Sequence, residues 1–112
     1  MKAILAAYEK DDPFEFMKVV SPNFKGNREN VLRSVQDQLA AVDNIKYDGV
    51  WVGSFVPGDT DNVVEVSFTW QRRWRVAATG VEESAQGTAL FRLEKLNGQW
   101  LLQEIRDRNP LF

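Results

Sequence analysis

Cysteine and histidine are both absent from this 112-residue sequence. The absence of cysteine excludes disulfides and thiolate chemistry, and the absence of histidine excludes Ser–His and Cys–His nucleophile systems. The usual zinc sites and the histidine ligand of haem are excluded as well. Any acid–base chemistry would therefore depend on Asp, Glu, Lys or Tyr. No glycine-rich phosphate loop or metal-binding spacing is present either, so we expect no metal and no organic cofactor.

Long apolar runs and an excess of basic residues are also missing. No stretch approaches the ~20 apolar residues of a membrane-spanning helix, and the apolar start at residues 1–7 is too short for a signal peptide. The net charge of −2 argues against a general nucleic-acid-binding protein, which usually has a basic face. We therefore predict no membrane span and no nucleic-acid partner. The cytoplasm is the default location, and the cell envelope stays open for a domain trimmed from a longer chain.

The residues that are present are those of an ordinary globular domain. Hydrophobic residues make up 44% of the sequence and charged residues 27%, with seven Phe, four Trp and two Tyr. Disordered chains are poorer in aromatic residues, and about 100–150 residues is the commonest domain size. We therefore predict a single domain over residues 1–112, which could be excised from a longer chain.

The N-terminal part of the sequence carries a helical pattern in three stretches. We predict a first helix over about 2–10, a second over 13–20 and a third over 28–43. Asp12 and Asn27 are typical N-cap residues at the starts of the second and third helices. The side chains expected on the inner faces of these two helices are Phe14, Met17, Val20, Val31, Val35, Leu39 and Val42.

After Asn44 the apolar residues recur at every second position, which is typical of strands. Asn97-Gly98 is a tight hairpin signal between the last two of these runs. The pattern predicts four main antiparallel strands after the helices, and hence an α+β fold. Their predicted ranges are about 45–54, 63–77, 84–95 and 99–107.

Two strands depart from plain alternation. In the first, Tyr47 and Trp51 are predicted to share a face, and Gly49 and Gly53 favour strong coiling of a sheet with such long strands. In the last, a spacing of three between apolar residues predicts a β-bulge near Gln103-Glu104. A strongly curved sheet bent over helices would form a cone with an open end.

Three stretches resemble the nuclear transport factor 2-like superfamily, which includes ketosteroid-isomerase-like and polyketide-cyclase-like enzymes. They are residues 8–17 (YEKDDPFEFM), residues 21–24 (SPNF) and residues 87–100 (GTALFRLEKLNGQW) running into Ile105-Arg106-Asp107. The resemblance covers nearly the whole chain. It implies three N-terminal helices packed on a strongly curved sheet of about four strands, with a pocket inside the cone. It implies no single reaction, because this fold hosts many functions.

Alternation places Arg72 of the second strand, and Glu104 and Arg106 of the fourth, on the apolar face. Arg72 and Glu104 could therefore meet inside the cone as an ion pair. The alternative is that the bulge turns Glu104 outward and that Arg72 reaches past its neighbours to water. The side chains predicted to line the pocket are Tyr47, Trp51, Trp70, Arg72, Trp74 and Glu104.

The aromatic side chains are also the main candidates for the core. The stretch 68–75 interleaves Phe and Trp with Arg, which indicates either buried rings with solvated arginines or a surface that binds a partner. The large side chains predicted to be buried are Trp51, Trp70, Phe91, Trp100, Val35 and Leu39.

No catalytic residue is assigned from the sequence. The resemblance implies catalytic Asp, Tyr or His inside the cone, and Tyr47 and Asp107 are the weak candidates that match in residue type. Tyr47 could equally be a core ring with its hydroxyl at the rim. Asp107, between Arg106 and Arg108, could equally belong to a surface ion pair.

The leading functional hypothesis is a non-catalytic binding or assembly module. It would form a homodimer through the outer face of the sheet and could hold a small apolar or anionic ligand. The main alternative is a small cofactor-independent isomerase, cyclase or dehydratase acting on an apolar ligand in the cone. A third hypothesis is an accessory domain of a larger envelope protein. A deep cavity with a perturbed ionisable pair would favour the enzyme, and a cone filled by aromatic rings would favour the module.

Overall fold

Helical segments precede a four-stranded sheet in the computed structural model, which describes residues 1–107 and 109–112. The helices are α1 (Lys2–Glu9), α2 (Pro13–Met17) and α3 (Arg28–Ala41). The strands are β1 (Val42–Pro57), β2 (Val63–Val76), β3 (Glu82–Leu96) and β4 (Gln99–Asp107). The predicted α+β order is confirmed. Of the predicted helices, however, only α3 is long, because α1 has 8 residues and α2 has 5.

The predicted N-caps start α2 and α3. The side chain of Asp12 accepts hydrogen bonds from the amides of Phe14 and Glu15, and Asn27 caps α3 in the same way. The predicted extension of α2 to residue 20 is wrong, because Val20 leaves the helix to form a parallel bridge with Leu102 of β4. The predicted inner position of Phe14 is also wrong.

Phe16 faces the core in place of Phe14, which is exposed. Its ring meets the Tyr8 ring edge-on at a centroid distance of 5.2 Å. Because α2 makes little more than one turn, its buried side is set by its contacts with α1 and α3 and not by a repeating stripe.

The sheet is an antiparallel meander in the order β1-β2-β3-β4. Asn97 and Gly98 both have positive φ, 51° and 80°, as the predicted hairpin requires. The predicted bulge in β4 is confirmed, since Arg92 pairs with Glu104 and Leu93 with Leu102, which leaves Gln103 as the extra residue.

Bulges in β1 were not predicted, and they change which face its side chains occupy. Tyr47 pairs with Arg72 and Gly49 with Gln71, so Asp48 is an extra residue and the alternation reverses there. Trp51 consequently lies on the outer face, opposite to the face of Tyr47. The prediction that Tyr47 and Trp51 share a face is wrong for this reason.

The strong curvature predicted from the glycines of β1 is also wrong, because the sheet is not strongly curled and the molecule measures 46 × 29 × 21 Å. Gly49 does not bend the strand. Its lack of a side chain leaves room for the Trp51 ring. A Cβ atom at this position would lie 2.2 Å from the indole ring of Trp51, which covers the glycine.

The helices cover only one end of the inner face of the sheet. There Tyr8, Phe16 and Val35 pack against Phe68 and Phe91 of the sheet, and all five are buried. The predicted burial of Trp70, Phe91 and Val35 is confirmed, while Leu39 is only partly buried against this core.

The predicted burial of two tryptophans is wrong. Trp51 is 54% exposed and Trp100 is 38% exposed. Trp51 is exposed because the bulge turns it outward. Trp100 lies on the inner face, but beyond the part that the helices cover.

Candidate functional site

Two tyrosines and one arginine meet at the covered end of the inner face. Tyr8 follows Ile4 by one helical turn on the buried side of α1. Tyr47 and Arg72 are register partners in β1 and β2, so their side chains leave the same face of the sheet side by side. We call Tyr8, Tyr47 and Arg72 the inner cluster.

The 109–112 segment lies against the inner cluster and uses its hydrogen-bond donors. Arg72 Nη1 donates to the backbone oxygens of Pro110, at 2.9 Å, and Leu111, at 2.5 Å. Tyr47 Oη donates to the same Pro110 oxygen at 2.7 Å. Leu111 is fully buried in the same apolar core as Tyr8. The segment therefore occupies the donor positions of Arg72 Nη1 and Tyr47 Oη.

Two polar atoms of the inner cluster have no partner. Tyr8 Oη and Arg72 Nε are buried and form no hydrogen bond with any residue that the structure describes. The Arg72 guanidinium also packs on the Trp74 ring, with 4.6 Å from Cζ to the ring centroid. A buried donor without an acceptor is costly and uncommon in folded proteins.

The electrostatics keep both tyrosines protonated. Burial raises the pKa of Tyr8 well above its usual value, and the nearby Arg72 charge opposes this rise only in part. Burial likewise raises the pKa of Tyr47, again against the opposing effect of Arg72. Both hydroxyls are therefore donors at any ordinary pH.

The inner cluster can bind acceptor oxygens but holds no proton acceptor of its own. Arg72 makes no ion pair with an acidic side chain within residues 1–107. The Glu9 carboxylate lies close by, where it accepts the backbone N–H of Tyr47 at 2.9 Å. A site made of donors suits binding of an anion or a carbonyl better than proton abstraction.

The structure brings four of the predicted pocket residues together on the inner face and leaves two elsewhere. Trp70 is buried and Trp74 is half-buried beside Arg72 and Tyr47. Trp51 lies on the outer face.

Glu104 is hydrogen-bonded to Arg106, with 2.7 Å from Nε to Oε1. The predicted ion pair between Arg72 and Glu104 is therefore wrong. The bulge at Gln103 makes Glu104 the register partner of Arg92 and turns it away from Arg72, as the alternative interpretation proposed. The other part of that alternative, that Arg72 reaches water, is wrong, because Arg72 is buried and donates to Pro110 and Leu111.

The weak catalytic candidates do not come together. Asp107 is exposed at the end of β4 with a positive φ of 64°, and Arg106 forms ion pairs with Glu104 and Glu65. Arg108 lies outside the described residues. The sequence reasoning missed Pro110 and Leu111 because both follow the last strand, where no periodic signal remains.

An open apolar groove lies at the uncovered end of the inner face. It has a volume of about 270 Å³ and contains one ionisable side chain, that of Lys2. Its lining consists of Met1, Lys2, Val52, Phe55, Val64, Val66, Leu93 and Trp100.

Neither a metal cluster nor a helix long and apolar enough to span a membrane occurs in the part of the chain that the structure describes.

The outer face of the sheet has an uncharged centre. Thr69 lies opposite Thr88, with 3.4 Å between the hydroxyls, and Gln71 donates to Gln86 at 3.3 Å. Trp51 is the register partner of Thr69 in β1, so its exposed ring adjoins this ladder. We call the surface formed by these five residues the outer ladder.

Ion pairs border the outer ladder at one end. Arg73 binds Asp48 at 3.0 Å and Arg75 binds Asp43 at 2.8 Å. Each of these charges is therefore compensated within the same chain.

No family model matches this chain, and no curated protein matches it in sequence. Solved structures match it in fold. A candidate calcium/calmodulin dependent protein kinase II association domain from Xanthomonas campestris has a TM-score of 0.73 and 15% identity, over 93% of this chain and 78% of that chain. A ketosteroid isomerase-like protein from Erwinia carotovora has a TM-score of 0.68 and 17% identity, over 93% and 88%.

A nuclear transport factor 2-like protein of unknown function from Shewanella oneidensis matches with a TM-score of 0.60 and 12% identity, over 92% of this chain and 91% of that chain. These matches define the class as an α+β domain with helices on one face of an antiparallel sheet. The chain has the nuclear transport factor 2-like fold, as the sequence resemblance implied. At such identities the likeness concerns the fold alone.

Proposed function

We propose that this chain is a non-catalytic binding and assembly module that pairs with a second copy of itself through the outer ladder. The observation that carries the proposal is the exposed Trp51 at the edge of an uncharged surface on the sheet. The fold supports this proposal without specifying it, because the similar structures include both a ketosteroid isomerase-like protein and a protein of unknown function.

The composition of the outer ladder suits an interface. Protein interfaces are depleted of charge at their centre, enriched in Trp and Tyr, and polar at the rim. Here Trp51, the Thr69–Thr88 pair and the Gln71–Gln86 pair form the uncharged centre. The neighbouring ion pairs of Arg73 and Arg75 are neutralised within one chain, so two copies facing each other would meet little net repulsion. A two-fold interface requires such a self-complementary surface.

The inner face supports a non-catalytic role. The donors of the inner cluster are bound to the 109–112 segment, and the nearest weak catalytic candidate on β4, Asp107, is exposed. An isomerase or dehydratase would need a base beside its substrate. The enzyme alternative keeps one supporting observation, the apolar groove of about 270 Å³, which could hold an apolar ligand.

The assembly proposal is tested by sedimentation equilibrium of the wild-type chain and of Thr69→Arg. We expect the wild type to be a dimer and Thr69→Arg to be a monomer, because two added charges would be buried face to face. The matched control is Gln36→Arg, which adds the same charge at an exposed position of α3 and should remain a dimer. A monomeric wild type, or equal dissociation of both variants, contradicts the proposal.

A further inference from the structure

The two buried arginines of the sheet are satisfied very differently. Arg92 is 6% exposed and Arg72 is 8% exposed. Arg92 uses all three guanidinium nitrogens, bonding to Gln103 at 2.7 Å, to Glu65 at 3.0 Å and to Asp59 at 3.1 Å. Two of these partners are carboxylates, so the buried charge is compensated.

Arg72 lacks this compensation. Its partners are the neutral backbone oxygens of Pro110 and Leu111 and the face of the Trp74 ring. Within the described residues its Nε has no acceptor, and neither has the adjacent Tyr8 hydroxyl. The 109–112 segment therefore supplies two carbonyl oxygens to a site that has further donors and an uncompensated positive charge.

A carboxylate would meet each of these unmet requirements. It carries a full negative charge and has about four lone-pair sites on two oxygens. One oxygen could accept from Arg72, which binds carboxylates through paired N–H groups, and the other from the tyrosine hydroxyls. Neutral backbone oxygens cannot supply the charge, so a bound carboxylate is the better partner for this set of donors.

The surroundings of the inner cluster indicate the rest of the ligand. Leu111 is buried in the same apolar core as Tyr8, Phe68 and Trp70. A ligand that took the place of Leu111 would therefore meet apolar walls beside the donors. A side chain of about the size of Leu or a phenyl ring fits that description.

We propose that Tyr8, Tyr47 and Arg72 form a binding site for a small organic monocarboxylate with a short apolar body, and that the 109–112 segment occupies this site in competition with the ligand. The site binds its ligand without chemistry, because its three members are donors and the nearby Glu9 carboxylate already accepts the backbone N–H of Tyr47. This inference is independent of the assembly proposal, since it concerns the opposite face of the sheet.

The first test is a binding titration of the wild-type chain with phenylacetate, followed by tryptophan fluorescence. Trp74 lies on the Arg72 guanidinium and should report on occupancy of the site. Phenylacetamide, which has the same shape and no charge, should bind about tenfold or more weakly. Equal binding of the acid and the amide would overturn the proposal.

Two adjacent arginines provide a matched pair of variants. Arg72→Met should weaken phenylacetate binding by about tenfold or more, because it removes the charge and the Nε donor. Arg73→Met removes the same charge from the outer face, where Arg73 pairs with exposed Asp48, and should leave the affinity unchanged. Equal losses of phenylacetate affinity in the two variants would show that Arg72 acts only by long-range charge attraction. That result would overturn the proposed site. Thr69→Arg should bind as the wild type does, so failure of assembly and failure of binding are distinguishable.

Competition with the 109–112 segment has a test of its own. In the wild type, saturating phenylacetate should speed hydrogen exchange of a peptide that covers 109–112, because the segment is displaced. Leu111→Ser should tighten phenylacetate binding by about threefold or more, since a weakened competitor leaves more of the site free. Circular dichroism checks that this variant is folded. If the variant is unfolded, the hydrogen exchange of the 109–112 segment in the wild type decides the test. Unchanged or slower exchange of the segment, or no phenylacetate binding by the wild type, overturns the proposal.

Discussion

Phenylalanines on the inner sheet face share one alternation pattern and have opposite surroundings. Phe68 and Phe91 are buried, with their rings edge-to-face at 4.8 Å. Phe55, on the edge strand β1, lies in the same row as Phe91, since both are register partners of Val66, and yet it is 63% exposed. The difference lies in what packs above the sheet. Alternation thus assigns a side chain to a face, and burial depends on the helices.

The two ends also differ in chemistry. The covered end concentrates the ionisable inner cluster beneath the 109–112 segment. The uncovered end is an apolar groove in which Lys2 is the only ionisable side chain among the described lining residues. An anionic ligand and an apolar ligand would therefore bind at different ends of the inner face. Binding at each end can be tested separately.

The largest effect is expected from truncating the two phenylalanines that define the comparison. Phe91→Ala should lower the free energy of unfolding by about 3–5 kcal/mol, because it leaves a cavity in a closely packed core. Phe55→Ala should lower it by less than about 1 kcal/mol, because the side chain is already largely in water. Urea denaturation of both variants measures the difference. Similar losses would mean that the groove is closed in solution by something packed on it.

A smaller effect is expected from Arg72, which joins the covered end to the 109–112 segment. Arg72→Met should cost about 1–3 kcal/mol, because the oxygen of Leu111 loses its donor and that of Pro110 keeps only the Tyr47 hydroxyl. Because Arg72 does not touch Glu104, Arg72→Met and Glu104→Gln should be additive within about 0.5 kcal/mol.

The double-mutant cycle has an internal positive control. Arg92 and Glu65 are 3.0 Å apart, so Arg92→Met and Glu65→Gln should be non-additive by more than about 0.5 kcal/mol. A coupling of that size between Arg72 and Glu104 would contradict the contacts described for the inner cluster.

Local signals with a defined geometry could be interpreted from the sequence. The caps at Asp12 and Asn27, the hairpin at Asn97-Gly98 and the bulge at Gln103 each follow from a few neighbouring residues. The order of helices and strands follows from the change of period. These features give the fold class, and the resemblance adds its name.

The remaining features depend on contacts between distant segments. No local pattern marks Asp48 as a bulge, and this one extra residue moves Trp51 to the other face. Of the inner cluster, Tyr47 and Arg72 were candidates from alternation alone. Their partner oxygen at Pro110 was missed, because it comes from a segment with no regular structure.

The smallest change in stability is expected at Gly49, the register partner of Gln71 beside the outer ladder. Its φ is ordinary, so Gly49→Ala should gain a few tenths of a kcal/mol from the less flexible unfolded chain. The added Cβ would lie 2.2 Å from the Trp51 ring, so the ring must swing away. Because that ring is exposed and bound on one side only, the net change should stay within about 1 kcal/mol.

The displaced ring provides the sharper measurement. The indole N–H signal of Trp51, assigned by its loss in Trp51→Phe, should shift in Gly49→Ala, while the signals of Trp70 and Trp74 stay in place. If Trp51 is an anchor of the assembly interface, Gly49→Ala should also weaken the dimer in sedimentation equilibrium. A loss of stability well above 1 kcal/mol, with the indole signal unmoved, would mean that Trp51 is held by more than the glycine beneath it. The outer ladder would then be better packed around Trp51 than its surface indicates.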